Sequence, residues 1–165
     1  MKYSIPLFLL SFSLLLGQEK HLIEWKSVQQ ADSLQLNGDK RLLFMDIYTD
    51  WCGPCKLMDQ HTFHNEEVAE YVNENFIPVK FNAESNEEII FKGKTYQWIS
   101  NGKSGIQMLA YFTLGGRLRY PSVALVNDKG ETLTVISGFF QPADFLNVVK
   151  DLKKQIDEHL TKEKL

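Results

Sequence analysis

The two cysteines of the chain stand close together, with only two residues between them. They lie in the run Trp51-Cys52-Gly53-Pro54-Cys55-Lys56, which follows an apolar segment. A helix is predicted to begin at Cys52, where unpaired backbone N–H groups and the positive end of the helix dipole stabilise a thiolate and lower the thiol pKa. This position makes Cys52 the predicted nucleophile.

Cys55 is the predicted resolving cysteine, because it lies one helical turn beyond Cys52 and within disulfide distance of it. We expect its side chain to be the more buried of the two and its thiol to stay protonated. Attack by Cys52 on a target disulfide gives a mixed disulfide, and Cys55 then displaces the reduced target. The Cys52–Cys55 disulfide is therefore the expected redox group, and no separate cofactor is expected.

Asp46 is the third candidate catalytic residue. It stands six residues before Cys52, within the apolar run Leu42–Tyr48. An acid in an otherwise apolar central strand should have a raised pKa and so exchange protons near neutral pH. The alternative is an aspartate at a strand end with a backbone partner.

Composition excludes a collagen-like, low-complexity or disordered chain. The 165 residues are 44% hydrophobic and 24% charged, with a formal net charge of -3. The values fit one soluble domain, and the scattered charges predict no nucleic-acid partner. Since a disulfide-stapled secreted domain carries about four or more cysteines, this pair is predicted to serve chemistry, with an inert disulfide as the alternative.

A metal site is a further possibility, because His61 and His64 follow the two cysteines. Their spacing is too short on two counts for a zinc finger. We therefore expect no stable metal, and place both histidines near the end of the active-site helix, where imidazolium favours the negative dipole end.

The N-terminal segment predicts export. Lys2 precedes the apolar stretch Ile5–Leu16, and the small residue Gly17 comes before a polar run that starts at Gln18. This pattern predicts a signal peptide over residues 1–17 and a single mature domain over 18–165. An uncleaved N-terminal membrane anchor is the alternative, although the apolar stretch is shorter than the roughly 20 residues of a spanning helix.

The order of elements predicts an α/β domain around a strand covered on both faces. Capping residues and helical spacing of apolar residues locate the helices, and alternation of apolar and polar residues locates the strands. The predicted strands are Ile23–Trp25, Leu42–Tyr48, a segment around Ile77–Phe81, and a hairpin of Ser122–Val126 with Thr132–Ile136. The predicted helices are Ser27–Leu36, one from Cys52, one from Asn65, and one behind Pro142 that carries Phe145, Val149, Leu152 and Ile156.

An insertion is predicted within residues 83–120, because this stretch is longer than a crossover helix with ordinary loops. Glu88–Phe91 and Thr95–Ile99 predict a small hairpin, and Ile106–Leu114 predicts the crossover helix. Aromatic residues of the insertion form either a partner surface or part of the core. They are Tyr96, Trp98, Tyr111 and Phe112.

From about Ile23 to Leu160 the sequence resembles the thioredoxin superfamily, whose active-site signature is Trp-Cys-Gly-Pro-Cys-Lys. Details beyond that signature resemble secreted thioredoxin-like proteins related to the C-terminal domain of the transmembrane thiol-disulfide interchange protein. These are Asp50 before Trp51, Thr62-Phe63, Asn65-Glu66-Glu67-Val68 and Val79-Lys80-Phe81-Asn82. The resemblance implies a thioredoxin fold, with a central mixed β-sheet flanked by helices and an insertion before a cis-proline.

The resemblance also assigns roles to individual residues. Asp46 matches the family's buried proton acceptor for the resolving cysteine, and Lys80 matches the lysine beside it, with a solvated lysine as the alternative.

Pro121, after Tyr120, matches the cis-proline that shapes the substrate groove. A trans proline that starts a strand is the alternative. Gly138 resembles the glycine that lets substrate approach, or else is a bulge or helix-entry glycine. Trp51, Gly53, Pro54 and Lys56 complete the active-site surface.

The chain also departs from small cytosolic thioredoxins. Gln60 replaces a helix-kinking proline and Tyr48 replaces a tryptophan. The resemblance to secreted members implies a periplasmic location, disulfide-containing client proteins, and a membrane or soluble thiol reductase as electron donor.

Gly-Pro between the cysteines favours a reductase over an oxidase or isomerase, which usually has a histidine there. A non-catalytic binding or chaperone domain that uses Trp51 and the insertion is the alternative from another class.

Overall fold

The computed structural model describes residues 22–100 and 102–162, and the predicted signal peptide over 1–17 lies outside them. The helices are α1 (Val28–Leu36), α2 (Gly53–Met58), α3 (Glu66–Asn75), α4 (Met108–Thr113) and α5 (Pro142–Lys162). A π-helical segment, Asp59–Phe63, continues directly from α2. The strands are β1 (Leu42–Tyr48), β2 (Phe76–Asn82), β3 (Ile89–Phe91), β4 (Lys94–Tyr96), β5 (Trp98–Ser100), β6 (Gly105–Gln107), β7 (Ser122–Val126) and β8 (Thr132–Ser137).

The central sheet is mixed, with strand order β2-β1-β7-β8. β1 runs parallel to β2 and antiparallel to β7, and β7 pairs with β8 as the predicted hairpin. The prediction that β1 is central is confirmed, and six of its seven residues are buried. A strand covered on both faces needs apolar residues at nearly every position, which is the pattern that the sequence shows.

Apolar side chains pack on both faces of this sheet. Leu43, Met45 and Ile47 point into one core with α1, α4 and part of the insertion. Phe44 points into the other core with Phe76 and Phe145, under α3 and α5. Because side chains alternate along a strand, Asp46 shares the face of Phe44. Asp46 is buried on that face, with 2% of its surface exposed.

The predicted helix starts are confirmed by their caps. Ser27 and Gln30 form a reciprocal capping box at the start of α1. The side chain of Asn65 accepts a hydrogen bond from the backbone of Val68, with two glutamates in the first turn of α3. Such caps satisfy backbone donors that have no partner within the helix.

The predicted strand Ile23–Trp25 is wrong. The chain makes only an isolated parallel bridge there, between Lys26 and Val79. Lys26 donates its backbone N–H to the carbonyl of Pro78 at 3.0 Å, and its carbonyl accepts from Lys80 at 3.1 Å. Pro78 has no N–H to offer, so it suits the outer edge of β2, where pairing stops after this bridge.

The insertion contains two hairpins rather than the single one predicted. β3 pairs with β4 as expected, whereas Trp98–Ser100 pairs with Gly105–Gln107 as a second antiparallel pair. The crossover helix consequently begins at Met108 and not at Ile106, and the side chain of Gln107 caps it by accepting from the backbone of Leu109. Short apolar runs such as this one do not distinguish strand from helix.

Within residues 22–100 and 102–162, no helix combines the length and apolar character that a membrane crossing requires.

Candidate active site

The two cysteines form a disulfide at the N-terminus of α2. Their Cα atoms are 5.3 Å apart, and Cys52 is the N-cap residue. The Cys52 Sγ accepts a hydrogen bond from the backbone N–H of Cys55 at 3.1 Å. The same N–H is placed to stabilise a thiolate on Cys52 after reduction.

The expectation that Cys55 is more buried than Cys52 is wrong for this oxidised form. The exposed fraction is 3% for Cys52 and 7% for Cys55. The disulfide holds both sulfurs against the same helix start, so accessibility does not separate their roles. Position in the helix does separate them, because only Cys52 occupies the N-cap.

Asp46 lies in the middle of β1, not at its end, and its side chain is 3% exposed. Lys80, its register partner on β2, places Nζ 2.7 Å from the carboxylate. Lys80 Nζ also lies 2.6 Å from Asp59 Oδ1 and faces the rings of Trp25, Tyr48 and Phe63. The lysine is thus an ammonium bridge between two carboxylates, and not the solvated lysine of the alternative prediction.

Burial raises the pKa of Asp46 to about 6, against the opposing attraction of Lys80. Burial alone would lower the pKa of Lys80, but the carboxylates of Asp46 and Asp59 raise it above its ordinary value. An acid that titrates near pH 6 can accept and return a proton under physiological conditions. The raised pKa expected for Asp46 is therefore present.

A small cavity connects this charged group to Cys55, the predicted resolving cysteine. Its lining includes Cys55, Lys56, Asp59 and Lys80, and its volume is about 160 Å³. The cavity lies on the Cys55 side of the disulfide, whereas Cys52 lines a separate, larger cleft. Lys56 itself is exposed.

The loop before β7 lies beside the cysteines, and the Tyr120–Pro121 bond is cis, as the resemblance implies. The Pro121 carbonyl accepts a hydrogen bond from the N–H of Gly138 at 2.9 Å. Gly138 has a φ of +104°, which favours glycine, and open space where a Cβ would stand. The predicted surface residues Tyr120, Pro121 and Gly138 are therefore contiguous, although Pro121 itself is buried.

Trp51 is the most exposed aromatic residue beside the disulfide, with 68% of its surface accessible. Its ring meets that of Tyr120 edge to face at a centroid distance of 6.0 Å, and its Nε1 donates to Glu84 Oε2 at 3.0 Å. Together with Gly53 and Pro54, these residues line a cleft of about 590 Å³ at Cys52. Burial, together with the nearby carboxylate of Glu84, raises the pKa of Tyr120 to about 12, so its hydroxyl stays neutral.

Other sequence predictions are placed as follows. Gln60 and His61 lie in the π-helical segment, and His64, just after it, contacts the Asp59 carbonyl through Nδ1. Phe112 is 62% exposed and contacts the rings of Tyr96 and Tyr111. Tyr111 and Phe112 are therefore exposed at the surface, whereas Tyr96 is partly buried and packs against one of the cores.

Sequence reasoning missed two residues of the site. Asp59 had a usable signal, because it lies four residues after Cys55 and so on the same face of the helix. Glu84 had none, since its contact with Trp51 spans 33 residues and depends on the turn after β2.

Comparison with known proteins agrees with this architecture. Residues 28–153 match the family model described as a thioredoxin-like domain, and the chain belongs to that family. The disulfide at its active-site position gives it the cysteine pair of a thiol–disulfide oxidoreductase of the thioredoxin superfamily.

Three relatives illustrate the similarity. A solved Bacteroides thetaiotaomicron protein, described provisionally as a disulphide isomerase, is 27% identical, with a TM-score of 0.57 over 80% of this chain and 93% of its own. The oxidised C-terminal domain of Neisseria meningitidis DsbD shares the fold, at 21% identity and a TM-score of 0.50 over 74% of this chain and 90% of its own.

The thiol:disulfide interchange protein DsbD of Campylobacter jejuni is 21% identical over 63% of this chain and 20% of its own length. The aligned regions make up only 15% to 39% of the lengths of the curated relatives.

Proposed function

We propose that this protein is an extracytoplasmic thiol–disulfide oxidoreductase that reduces disulfides of client proteins. The observation that carries the proposal is the arrangement around the disulfide. Cys52 is the N-cap of α2, and Cys55 borders a cavity that also contacts Lys80, which is paired with the buried Asp46. One sulfur is thus placed to attack and the other lies next to a proton acceptor.

The reaction cycle starts from the reduced dithiol. The Cys52 thiolate attacks one sulfur of the client disulfide, forms a mixed disulfide and releases a client thiolate. Cys55 loses its proton towards the Lys80–Asp46 pair and attacks Cys52 Sγ, which releases the second client thiol. Two electrons pass to the client, the protein becomes Cys52–Cys55 disulfide, and a thiol reductase must return two electrons for the next turnover.

The surface beside Cys52 supports recognition of an extended client. Tyr120, Pro121 and Gly138 are adjacent, and Tyr120 faces the cleft that contains Cys52. Gly138 is exposed and Tyr120 is half-buried, so an extended client segment would contact these two residues rather than the buried Pro121.

Replacing Cys55 with serine tests the cycle. The variant is expected to accumulate client proteins on Cys52 as mixed disulfides, because the resolving thiol is gone. The measurement is recovery of tagged protein from its host, followed by non-reducing electrophoresis. Absence of adducts, with insulin-disulfide reduction that survives Cys52→Ala, would contradict the proposal. Client binding that survives loss of both cysteines would instead favour a non-catalytic binding or chaperone domain.

The reduction potential of the Cys52/Cys55 pair tests whether the protein reduces or oxidises its clients. Gly-Pro between the cysteines adds no imidazolium to stabilise the reduced thiolate, and Asp46 is a negative charge close to the site. Both features favour the disulfide form and so a reducing couple. Equilibrium titration against glutathione is expected to give a potential below about -230 mV, in the range of reductases. A value above about -180 mV would favour an oxidase or isomerase.

A disulfide isomerase is the second candidate function. The observation in its favour is the 27% identity to the Bacteroides thetaiotaomicron protein described provisionally by that name. An isomerase would restore activity to a client with scrambled disulfides without net consumption of reductant, whereas a reductase would consume reductant in step with client thiols formed.

The location and the electron donor also belong to the proposal. The predicted signal peptide over 1–17 supports export, most simply to the periplasm, with N-terminal anchoring as the alternative. Similarity to DsbD supports a membrane thiol reductase as donor. A mature protein in the periplasmic fraction that starts near Gln18 is expected, and purely cytoplasmic protein that retains Met1 would contradict export.

A further inference from the structure

The second hairpin of the insertion forms one wall of the cleft that contains Cys52. Gly105 and Ile106 of β6 line this cleft opposite Trp51, Gly53 and Pro54. Leu118 and Tyr120, from the segment before β7, complete its apolar lining. A client disulfide that reaches Cys52 through this cleft must therefore contact the hairpin.

The two strands of the hairpin are in close contact with each other. The indole of Trp98 on β5 covers Gly105, and a Cβ at Gly105 would overlap the indole ring. Gly105 is buried, and β6 leads directly into α4. The ring on the glycine fixes the two strands against each other, and the backbone N–H of Gln107 ties β6 to the domain by donating to the Ala83 carbonyl at 2.8 Å, which suits a fixed recognition surface.

The cleft combines apolar side chains with one negative charge. Leu118 is 42% exposed and Trp51 is 68% exposed, so both offer apolar surface to a ligand. Among the described residues that line the cleft, Glu84 is the only one with a formally charged side chain. Its Oε2 accepts from Trp51, and its backbone N–H donates to Asn82, so the carboxylate has a defined position.

We propose that the β5–β6 hairpin and Glu84 select client segments that carry bulky apolar and positively charged side chains beside the disulfide cysteine. The inference rests on the proposed function and adds the chemical class of its substrate. Apolar side chains gain from leaving water against Ile106 and Leu118, and a cation pairs with the Glu84 carboxylate. The occupant is a segment of a client protein, since the cleft is continuous with the reacting sulfur.

Three symmetrical peptide disulfides test this selection with the whole chain, reduced beforehand and freed of reductant. Their sequences around the cysteine are Lys-Leu-Cys-Leu-Lys, Glu-Leu-Cys-Leu-Glu and Lys-Ser-Cys-Ser-Lys. Single-turnover rate constants are divided by those for dithiothreitol, because flanking charges alter the peptide thiol itself. The first peptide is expected to react about threefold to fivefold faster than the acidic one, which is the upper part of the range for an exposed ion pair. It should exceed the serine peptide by about fivefold or more.

Two substitutions assign these preferences to the cleft. Glu84→Gln is expected to bring the ratio of basic to acidic peptide close to one, while Glu87→Gln, an exposed glutamate on the same loop, keeps the wild-type ratio. Ile106→Ala is expected to halve the leucine preference or more. Ile99→Ala is its matched control, since Ile99 is the register partner of Ile106 and 52% exposed, but does not line the cleft.

Failure of the selection and failure of the proposed function give different results. Equal normalised rates for the three peptides, or ratios that Glu84→Gln and Ile106→Ala leave unchanged, overturn the cleft inference while reduction stands. If the chain reduces none of them, peptides with serine in place of cysteine report binding through the fluorescence of Trp51. The same order of affinities would then support the cleft, and equal affinities would overturn it.

Discussion

Cys52→Ala is expected to lower the rate of disulfide exchange by on the order of 10³-fold or more, because it removes the attacking nucleophile. Cys52 is the N-cap of α2 and receives the backbone N–H of Cys55 at 3.1 Å. Cys55 lies inside the first turn of the helix and is not the N-cap. The measurement is the stopped-flow reaction of reduced protein with a small aromatic disulfide that releases a coloured thiol.

The matched control is Cys55→Ala, which loses the same disulfide and therefore the same cross-link. This variant is expected to form the first mixed disulfide within about threefold of the wild-type rate, since its nucleophile is intact. The comparison is informative because burial does not favour either sulfur, with exposed fractions of 3% and 7%. Equal loss in the two variants would show that the helix start does not distinguish the cysteines.

Asp46→Asn is expected to stabilise the fold at neutral pH, and by an amount that depends on pH. The pKa of Asp46 is about 6 in the folded protein against an ordinary value of 3.8. Between these two values the folded state holds more protons than the unfolded state, so the free energy of unfolding of the wild type falls as pH rises. The difference between the two pKa values corresponds to about 3 kcal/mol of stability, fully lost above about pH 7.

Urea unfolding of the oxidised proteins at a series of pH values checks this expectation. The stability of Asp46→Asn relative to wild type should grow by about 2 to 3 kcal/mol between pH 4 and pH 7.5. Asp151→Asn, an exposed carboxylate on α5, corrects for the change in net charge. A difference that is the same at both pH values would contradict the raised pKa of Asp46.

The same substitution should impair the step that Asp46 serves. Asparagine keeps the shape of the side chain but cannot accept a proton, so release of client from the mixed disulfide is expected to slow by about 10²-fold at pH 7. Formation of the mixed disulfide by Cys52 should change much less. A variant that is both more stable and slower in this one step would separate the chemical role of Asp46 from a structural one.

Much of the fold was predictable because local signals agreed with the tertiary arrangement. The apolar run Leu42–Tyr48 could be satisfied only by a strand covered on both sides, and it became the central β1. Asn65 and Pro142 marked the starts of two helices. Ile23–Trp25 failed because strand identity there depends on a pairing partner, and the available edge contains Pro78.

The insertion showed the limit of local patterns. The length of residues 83–120 indicated an insertion, and Lys92-Gly93-Lys94 between two apolar runs predicted its first hairpin. The second hairpin was not predicted, because its strands, Trp98–Ser100 and Gly105–Gln107, are too short to show the alternation of apolar and polar residues that marks a strand. Trp98 packs on Gly105 across this hairpin, a contact between strands that composition does not reveal.

Residue types and their spacing were enough to predict the chemistry: two thiols at a helix start, six residues after an acid in an apolar strand, indicate a dithiol–disulfide cycle. Those features are local, and helix dipole and burial act on them wherever the chain folds. The pairing of Asp59 and Asp46 with the same lysine, Lys80, and the position of Glu84 and the β5–β6 hairpin beside Cys52 follow from tertiary packing and were not predictable from the sequence. These residues come from distant segments of the chain and meet only through packing, so their sequence positions do not predict that they are close.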